Sequence, residues 1–423
     1  MLKHEDNERL VRVGPGTPMG QTMRRYWQPA LLSSELPEPD CAPVRVRLLG
    51  EDLIAYRDTD GKVGLVDAFC PHRRAPMFFG RNEECGLRCV YHGWKFDRAG
   101  NCVDMPSEPA GTPLQAKVKI KAYLCIEKGG AVWTYMGPRE LQPPEPDHEW
   151  LRVPESHLFV SKTYEHCNYM QALEGGLDTA HVSYLHKDGR DDALHLAAVD
   201  GAPRLDVEVT DYGYYYVSSR NVGNGSNYVR LYQYIMPNHQ MRANVLSHSG
   251  KRPKVPKIDG HVWVPIDDEN VWVWNFMYAY DESTPLDREF AMNYETRAGR
   301  GPDDLVPGTF KLKANIENNY NVDREKQKQG LFAGIEGVNT QDFALQEGMA
   351  RIIDRSQEFL GTTDKAIVTL RRLLLDATRA VEKGETPRAI DPTTYANVRA
   401  HDELVPQSED WRALFDKEGM ARW

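Results

Sequence analysis

The sequence predicts an α+β protein in two parts, an all-β domain followed by an α+β domain built around an antiparallel sheet. Three observations carry that reading. Short apolar or alternating runs crowd residues 44–135, and a proline-rich stretch, Gln142-Pro-Pro-Glu-Pro146, interrupts the chain. Beyond Ser156, strand-like runs are followed by helix-like segments without βαβ alternation. At 423 residues the chain is long enough for two or three domains with substantial cores.

Residues 1–39 form an N-terminal segment. Its run Gly14-Pro-Gly16-Thr-Pro-Met-Gly20 superficially resembles a nucleotide-binding glycine loop. It lacks the preceding strand and the G-x-G-x-x-G spacing, so it reads as a turn before a helix. Residues 40–155 make the all-β domain, with strands over Val44–Leu49, Leu53–Tyr56, Val63–Val66 and Ala131–Tyr135. Lys117, Lys119 and Lys121 alternate, which puts three ammonium groups on one face of a strand, a pattern that guards sheet edges or docks an electron donor.

Residues 156–423 make the α+β domain. Helix signals lie near 165–180. Strands follow over Leu205–Thr210, Gly213–Ser218, Tyr228–Ile235, His261–Pro265 and Val271–Tyr280, then helices over Asp342–Arg355 and Asp364–Val381, with helices to the end.

Two loops in the first domain offer two thiolates and two imidazoles: Cys70-Pro-His72 and, sixteen residues on, Cys89-Val-Tyr-His92. That is the ligand set of a Rieske [2Fe-2S] cluster, in which two cysteines hold one iron and two histidines the other. Structural zinc takes the same residue types but pairs Cys with Cys and His with His within each knuckle, whereas here each loop gives one of each. Cys85 is near enough to compete with Cys89, though the pairing with His92 favours Cys89.

A second constellation, Asp178-Thr-Ala-His181-Val-Ser-Tyr-Leu-His186, offers two imidazoles and a carboxylate, the donors of a mononuclear Fe(II) site. Residues five apart point about 140° away from each other on a helix. The helix is therefore expected to carry Asp178 and His181 and then to turn, bringing His186 round. Three function classes stand at this point: an oxygenase, an electron-transfer protein with a degenerate second site, and a zinc-stabilised binding module.

Composition narrows the partners. The formal net charge of −10 argues against nucleic acid. No apolar run is long enough to span a bilayer and the N-terminus has no signal-peptide pattern, so no membrane partner and a cytoplasmic location are expected. Seven scattered cysteines fit a reducing compartment. With no dinucleotide or flavin fingerprint, electrons must come from a separate protein.

Taken with Cys89-Val-Tyr-His92-Gly93-Trp94, Asn168-x-x-Gln171-x-x-Glu174-Gly175, Asp178-x-x-His181, His186 and Gln341-Asp342-Phe-Ala-Leu-Gln346-Glu347, the chain resembles the oxygenase components of Rieske non-haem iron oxygenases, in the phthalate dioxygenase family. The resemblance implies a helix-grip, START-like catalytic domain. It nominates Asp342 as the third iron ligand, with Glu347 and Asp354 as alternatives of the right chemistry. It also implies a homotrimer, or a hexamer of stacked trimers, in which Asp178 bridges His181 to His92 of a neighbouring subunit. The implied activity is oxygen insertion into an aromatic carboxylate of phthalate or benzoate type, or O-demethylation of a methoxylated aromatic. Electrons come from NADH through a flavin and iron-sulfur reductase. Arg204, Arg220, Arg230 and Arg242 are the cations available to such a substrate, and the sequence does not choose among them.

Overall fold

The computed structural model describes residues 2–187, 196–247 and 250–423, with backbone alone at 413, 414 and 417. The chain divides into two units, Val13–Pro143 and Met1–Arg12 with Pro144–Trp423. Helix α1 (His4–Val11) opens the chain and belongs to the larger unit; α2 (Pro18–Met23) opens the smaller one, capped by Thr17, whose hydroxyl accepts from Gly20 N–H. The glycine-rich run is thus a turn before a helix.

The smaller unit is all β. Its strands are β1 (Trp27–Leu32), β2 (Val44–Leu48), β3 (Glu51–Arg57), β4 (Val63–Asp67), β5 (Arg81–Glu83), β6 (Gly86–Arg88), β7 (Lys95–Phe96), β8 (Cys102–Asp104), β9 (Ala122–Lys128) and β10 (Ala131–Tyr135). They form an antiparallel six-stranded sheet in the order β1-β10-β9-β4-β3-β2 and a small four-stranded sheet, β5-β6-β7-β8. Alternation in Val-Arg-Val-Arg-Leu buries Val46 and Leu48 and leaves both arginines exposed, as a half-buried strand requires. Ile54, Tyr56, Val66, Met77, Leu87, Trp94 and Phe96 pack into one core with Cys70 and Cys89. The lysine run differs from its expected form. Gln115–Lys117 is a 3-10 turn and Lys119 makes one isolated bridge, to Asn101. Strand β9 starts at Ala122 and is interior to its sheet, and Lys121 pairs with Glu51.

The larger unit is α+β. Strands β11 (Leu158–Glu165), β12 (Arg204–Val209), β13 (Gly213–Gly223), β14 (Ser226–Ile235), β15 (His239–Asn244), β16 (Lys257–Pro265), β17 (Val271–Ala279) and β18 (His401–Pro406) make an antiparallel sheet ordered β11-β17-β16-β15-β14-β13-β12, with β18 paired to β14. Its helices are α3 (Tyr169–Leu177), α4 (Arg288–Ala298), α5 (Arg324–Lys328), α6 (Val338–Gly348), α7 (Lys365–Glu382) and α8 (Trp411–Glu418). The carboxy-terminal region is not wholly helical, because β18 returns to the sheet through Leu231↔His401 pairing. Helix α7 buries Leu370, Leu373, Leu374 and Ala377 at helical spacing, and Tyr214 OH on β13 donates to its Ala366 carbonyl at 2.9 Å. Among the described residues no helix is long and apolar enough to cross a membrane.

Two glycines set the height of α3. A Cβ on Gly176 would lie 2.1 Å from the Trp263 ring on β16, and one on Gly175 would lie 2.2 Å from Gln346 Nε2 on α6. A buried ion cluster completes the seat. Arg355 donates to Glu174 Oε2 at 2.9 Å and Arg371 to Oε1 at 2.7 Å, while Arg371 also reaches Glu358 at 2.6 Å.

Candidate metal centres

In the smaller unit, two loops repeat one backbone pattern. Cys70 N–H donates to Ala75 C=O at 2.8 Å and Arg74 N–H to Cys70 C=O at 2.9 Å; Cys89 N–H donates to Trp94 C=O and Gly93 N–H to Cys89 C=O, both at 2.9 Å. The fifth residue of each loop turns left-handed, Gly93 at φ 79° and Arg74 at φ 58°. A Cβ on Gly93 would lie 2.6 Å from Pro106 Cγ, so only glycine fits there. Arg74 plays the matching part with no signal in its residue type.

These loops bring the four predicted donors together. Cys70 and Cys89 are free and buried, and burial, reinforced by the neighbouring Cys89, pushes the Cys70 thiol up to about 11. The His72 and His92 rings have centroids 4.5 Å apart, and His72 stacks on Trp94 at 4.3 Å. Nδ1 of His72 is buried without a hydrogen-bond partner among the described residues. An orphaned imidazole acceptor beside two adjacent sulfurs suits an iron-sulfur cluster, whose irons would take those electron pairs. Cys85 sits instead in the β5–β6 turn, its N–H donating to Thr59 Oγ1.

In the larger unit, α3 ends at Leu177, one turn earlier than the spacing argument supposed. Asp178 is the residue after it, extended at ψ 123°, and its Oδ1 accepts from Ala180 N–H at 2.7 Å. His181 opens a separate 3-10 turn, His181–Ser183. The helix therefore carries neither residue, because the aspartate closes its own short turn in place of another helical bond. Asp342 lies in the second turn of α6, not at a helix start, since α6 begins at Val338 and stops at Gly348 before the left-handed Ala350.

His181, His186 and Asp342 converge, with one donor atom from each inside 4.8 Å of the others. His181 Nε2 and His186 Nε2 are 3.1 Å apart, and Asp342 Oδ1 is 3.6 and 3.3 Å from them. Two ligands ~2.1 Å from one ion and at right angles stand ~3.0 Å apart, so this spacing fits three adjacent corners of an octahedron. The outer nitrogens are held elsewhere. His186 Nδ1 meets Gln341 Oε1 at 2.7 Å, and His181 Nδ1 faces Asp178 Oδ2 at 3.5 Å. With His186 Nδ1 bonded to Gln341 and His181 Nδ1 turned toward Asp178, both Nε2 atoms and Asp342 Oδ1 face one another, a donor set that would suit one cation.

The electrostatics agree. Burial alone would lower His181, yet the Asp178 hydrogen bond and the Asp342 charge outweigh it and the net shift is upward. Burial would raise Asp342, but His186 and then His181 hold it below the usual carboxylate range. Asp178 is likewise held down, burial notwithstanding, by His181.

The alternative third ligands are engaged elsewhere. Glu347 accepts from His166 N–H at 2.8 Å and from Tyr320 OH, and Asp354 accepts from Ser356 N–H at 3.0 Å and Gln357 Nε2 at 2.9 Å. Gln341 precedes Asp342 on α6, and a lone glutamine gives no chemical signal in sequence. Of the four arginines, Arg204 is exposed and pairs with Asp206 at 3.1 Å. Arg220 and Arg230 are buried, and Arg242 donates to Asp259 at 2.6 Å and is close enough for its charge to act on both His181 and Asp342.

Fold and donor sets together define a two-centre iron protein, and comparison places it among known ones. Residues 26–123 match the Rieske [2Fe-2S] domain model and residues 134–421 the LigXa C-terminal domain like model. The chain is 40% identical over 432 residues to the phthalate 4,5-dioxygenase oxygenase subunit of Pseudomonas putida, covering 97% of this chain and 94% of that one. It is 36% identical over 452 residues to the 3-chlorobenzoate-3,4-dioxygenase oxygenase subunit of Comamonas testosteroni, covering both chains fully. The crystal structure of dicamba monooxygenase bound to dicamba shares the fold, with TM-score 0.62 at 19% identity over 86% of this chain and 99% of that one. The chain belongs to the oxygenase components of the Rieske non-haem iron oxygenases, in the phthalate dioxygenase family.

Proposed function

We propose that this subunit inserts oxygen into an aromatic carboxylate. Cys70, His72, Cys89 and His92 would hold the [2Fe-2S] cluster within residues 40–155, and His181, His186 and Asp342 the mononuclear Fe(II) within 156–423. Once bound, the two centres supply one-electron relay and reductive activation of O2. The convergence of one ligand atom from each of His181, His186 and Asp342 within 4.8 Å is the observation that supports the ligand assignment.

The protein's own groups do the rest. Gln341 and Asp178 keep each imidazole in the tautomer whose Nε2 faces inward. Arg242, braced by Asp259, places a cation beside the triad, where a substrate carboxylate would be paired and oriented. The names of the relatives support that substrate class, since phthalate, 3-chlorobenzoate and phenoxybenzoate are all aromatic carboxylates. Electrons would come from NADH through a separate reductase in the cytoplasm. Asp178 would bridge to His92 of a neighbouring subunit in a trimer or stacked hexamer.

The test is substrate-dependent O2 uptake with a surrogate reductase across phthalates, benzoates, methoxybenzoates and neutral methoxybenzenes. Uptake with product from a carboxylate, and a KM raised at least tenfold in Arg242→Met, is expected. Turnover of neutral methoxybenzenes with no preference for the carboxylates would overturn the substrate class and favour O-demethylation.

A further inference from the structure

The loop between Asp178 and His181 has a clamp of its own, made from a buried cation. Thr179 is 2% exposed and Arg220, on β13, is 0% exposed. Arg220 Nη2 donates to the Thr179 carbonyl oxygen and, at 3.2 Å, to its hydroxyl; Nη1 reaches the same hydroxyl at 3.3 Å and Ser218 Oγ at 3.2 Å. The Thr179 hydroxyl also bonds Tyr232 OH at 2.9 Å, and Arg230 Nη1 lies 3.4 Å from that phenol.

Among the described residues Arg220 has no carboxylate in hydrogen-bond or ion-pair reach. Taking a guanidinium out of water without such a partner is costly, and its forked donors are spent on the Thr179 carbonyl and hydroxyl. Burial holds Arg220 below its ordinary value, and Tyr232 is held below its own, burial being outweighed by Arg230 and Arg220.

The geometry shows what the fork does. The Thr179 carbonyl and the Ala180 N–H belong to one rigid peptide plane and point in opposite directions. Fixing the carbonyl on Arg220 therefore aims the N–H, which donates to Asp178 Oδ1 at 2.7 Å. The other oxygen of Asp178 faces His181 Nδ1 at 3.5 Å, and the opposite nitrogen of that ring faces Asp342. We propose that Arg220 is a positioning residue for the mononuclear centre, setting the orientation of Asp178 and His181 through the Thr179–Ala180 peptide. This rests on His181, His186 and Asp342 being the metal ligands.

The test uses the full chain with its cluster and titrates the mononuclear site with Co(II), read by its visible bands. Arg220→Lys keeps a cation but loses the fork. Removing a direct partner of a ligand weakens metal binding by roughly 10–100-fold; Arg220 acts one contact further out, so a loss at the lower end, about tenfold, is expected with an unchanged cluster spectrum. Co(II) affinity equal to wild type, with only a lower melting temperature, would make Arg220 a structural residue and overturn the proposal. If Arg220→Lys does not fold, Arg220→Met, which fills the same space with no donor for the Thr179 carbonyl, decides in its place. Weakened Co(II) binding is expected of it, and wild-type affinity would overturn the clamp. Wild-type protein with no Co(II) site sensitive to Asp342→Ala would instead remove the ligand assignment on which the clamp depends.

Discussion

Gln341 Oε1 accepts from His186 Nδ1 at 2.7 Å, and the same amide donates through Nε2 to the Ile335 carbonyl at 2.7 Å. The second bond fixes which end of the amide faces the ring. Oxygen must face His186, so the ring proton sits on Nδ1 and the lone pair on Nε2. Gln341 thus orients one proposed ligand while Asp342, the next residue on α6, would supply another.

Gln341→Leu is expected to weaken metal binding by roughly 10–100-fold, the usual loss when an outer partner of a ligating histidine is removed. Gln341→Glu, which keeps the acceptor for His186 but loses the donor to the Ile335 carbonyl, should recover only part of it. A Co(II) titration checks both, and equal affinity in Gln341→Leu would mean that His186 is oriented by packing alone.

Much of this arrangement is legible in the sequence, and the exceptions share a physical cause. The Cys-x-His and Cys-x-x-His loops announce themselves because sulfur and imidazole at short spacing are rare without a metal. Strands such as Ala131–Tyr135 and Val271–Ala279 are apolar enough to be read directly. Strand β11, with burial that does not alternate, and β18, with His-Asp-Glu at its start, owe their state to neighbours far along the chain. The same is true of the site. His181, His186 and Asp178 are visible, but the Gln341 amide that orients His186 has a role that exists only in three dimensions. The end of α3 is not legible, because Asp178 bonds to Ala180 N–H, a local choice that helical spacing cannot register.

Glu174 links the stability of α3 to pH. Burial raises its carboxyl, but Arg355 and then Arg371 outweigh it, and the net shift is downward. A depressed folded-state value means that the unfolded chain binds more protons in the acid range. The stabilisation is therefore fully present above the unfolded value of about 4.3 and is lost as pH falls through the folded one. Glu174→Gln should cost about 3–5 kcal/mol at neutral pH, as expected for breaking a buried ion cluster. It should also flatten the acid limb of a urea-midpoint profile; a limb as steep as wild type would place the titrating group elsewhere.

Cys70→Ser should remove the visible absorption of the cluster while the mononuclear site still takes metal. The two donor sets lie in different units of the chain, and the thiol belongs to one alone. A normal cluster spectrum in this variant would contradict the assignment.

Asp178→Asn should load both metals yet slow reoxidation of the reduced cluster by O2 plus substrate. The amide keeps the size of the side chain and the turn to Ala180 but loses the charge that acts on His181. Stopped-flow absorbance gives the rate, and an unchanged value would leave Asp178 with a purely structural part.

The most direct measurement is iron and acid-labile sulfide per chain, after anaerobic Fe(II) loading, in the wild type and in Asp342→Ala. A two-iron cluster plus one mononuclear site predicts about three irons and two sulfides in the wild type, and about two of each in the variant with its cluster signal intact. Two irons in the wild type, or three retained in Asp342→Ala, would contradict the account.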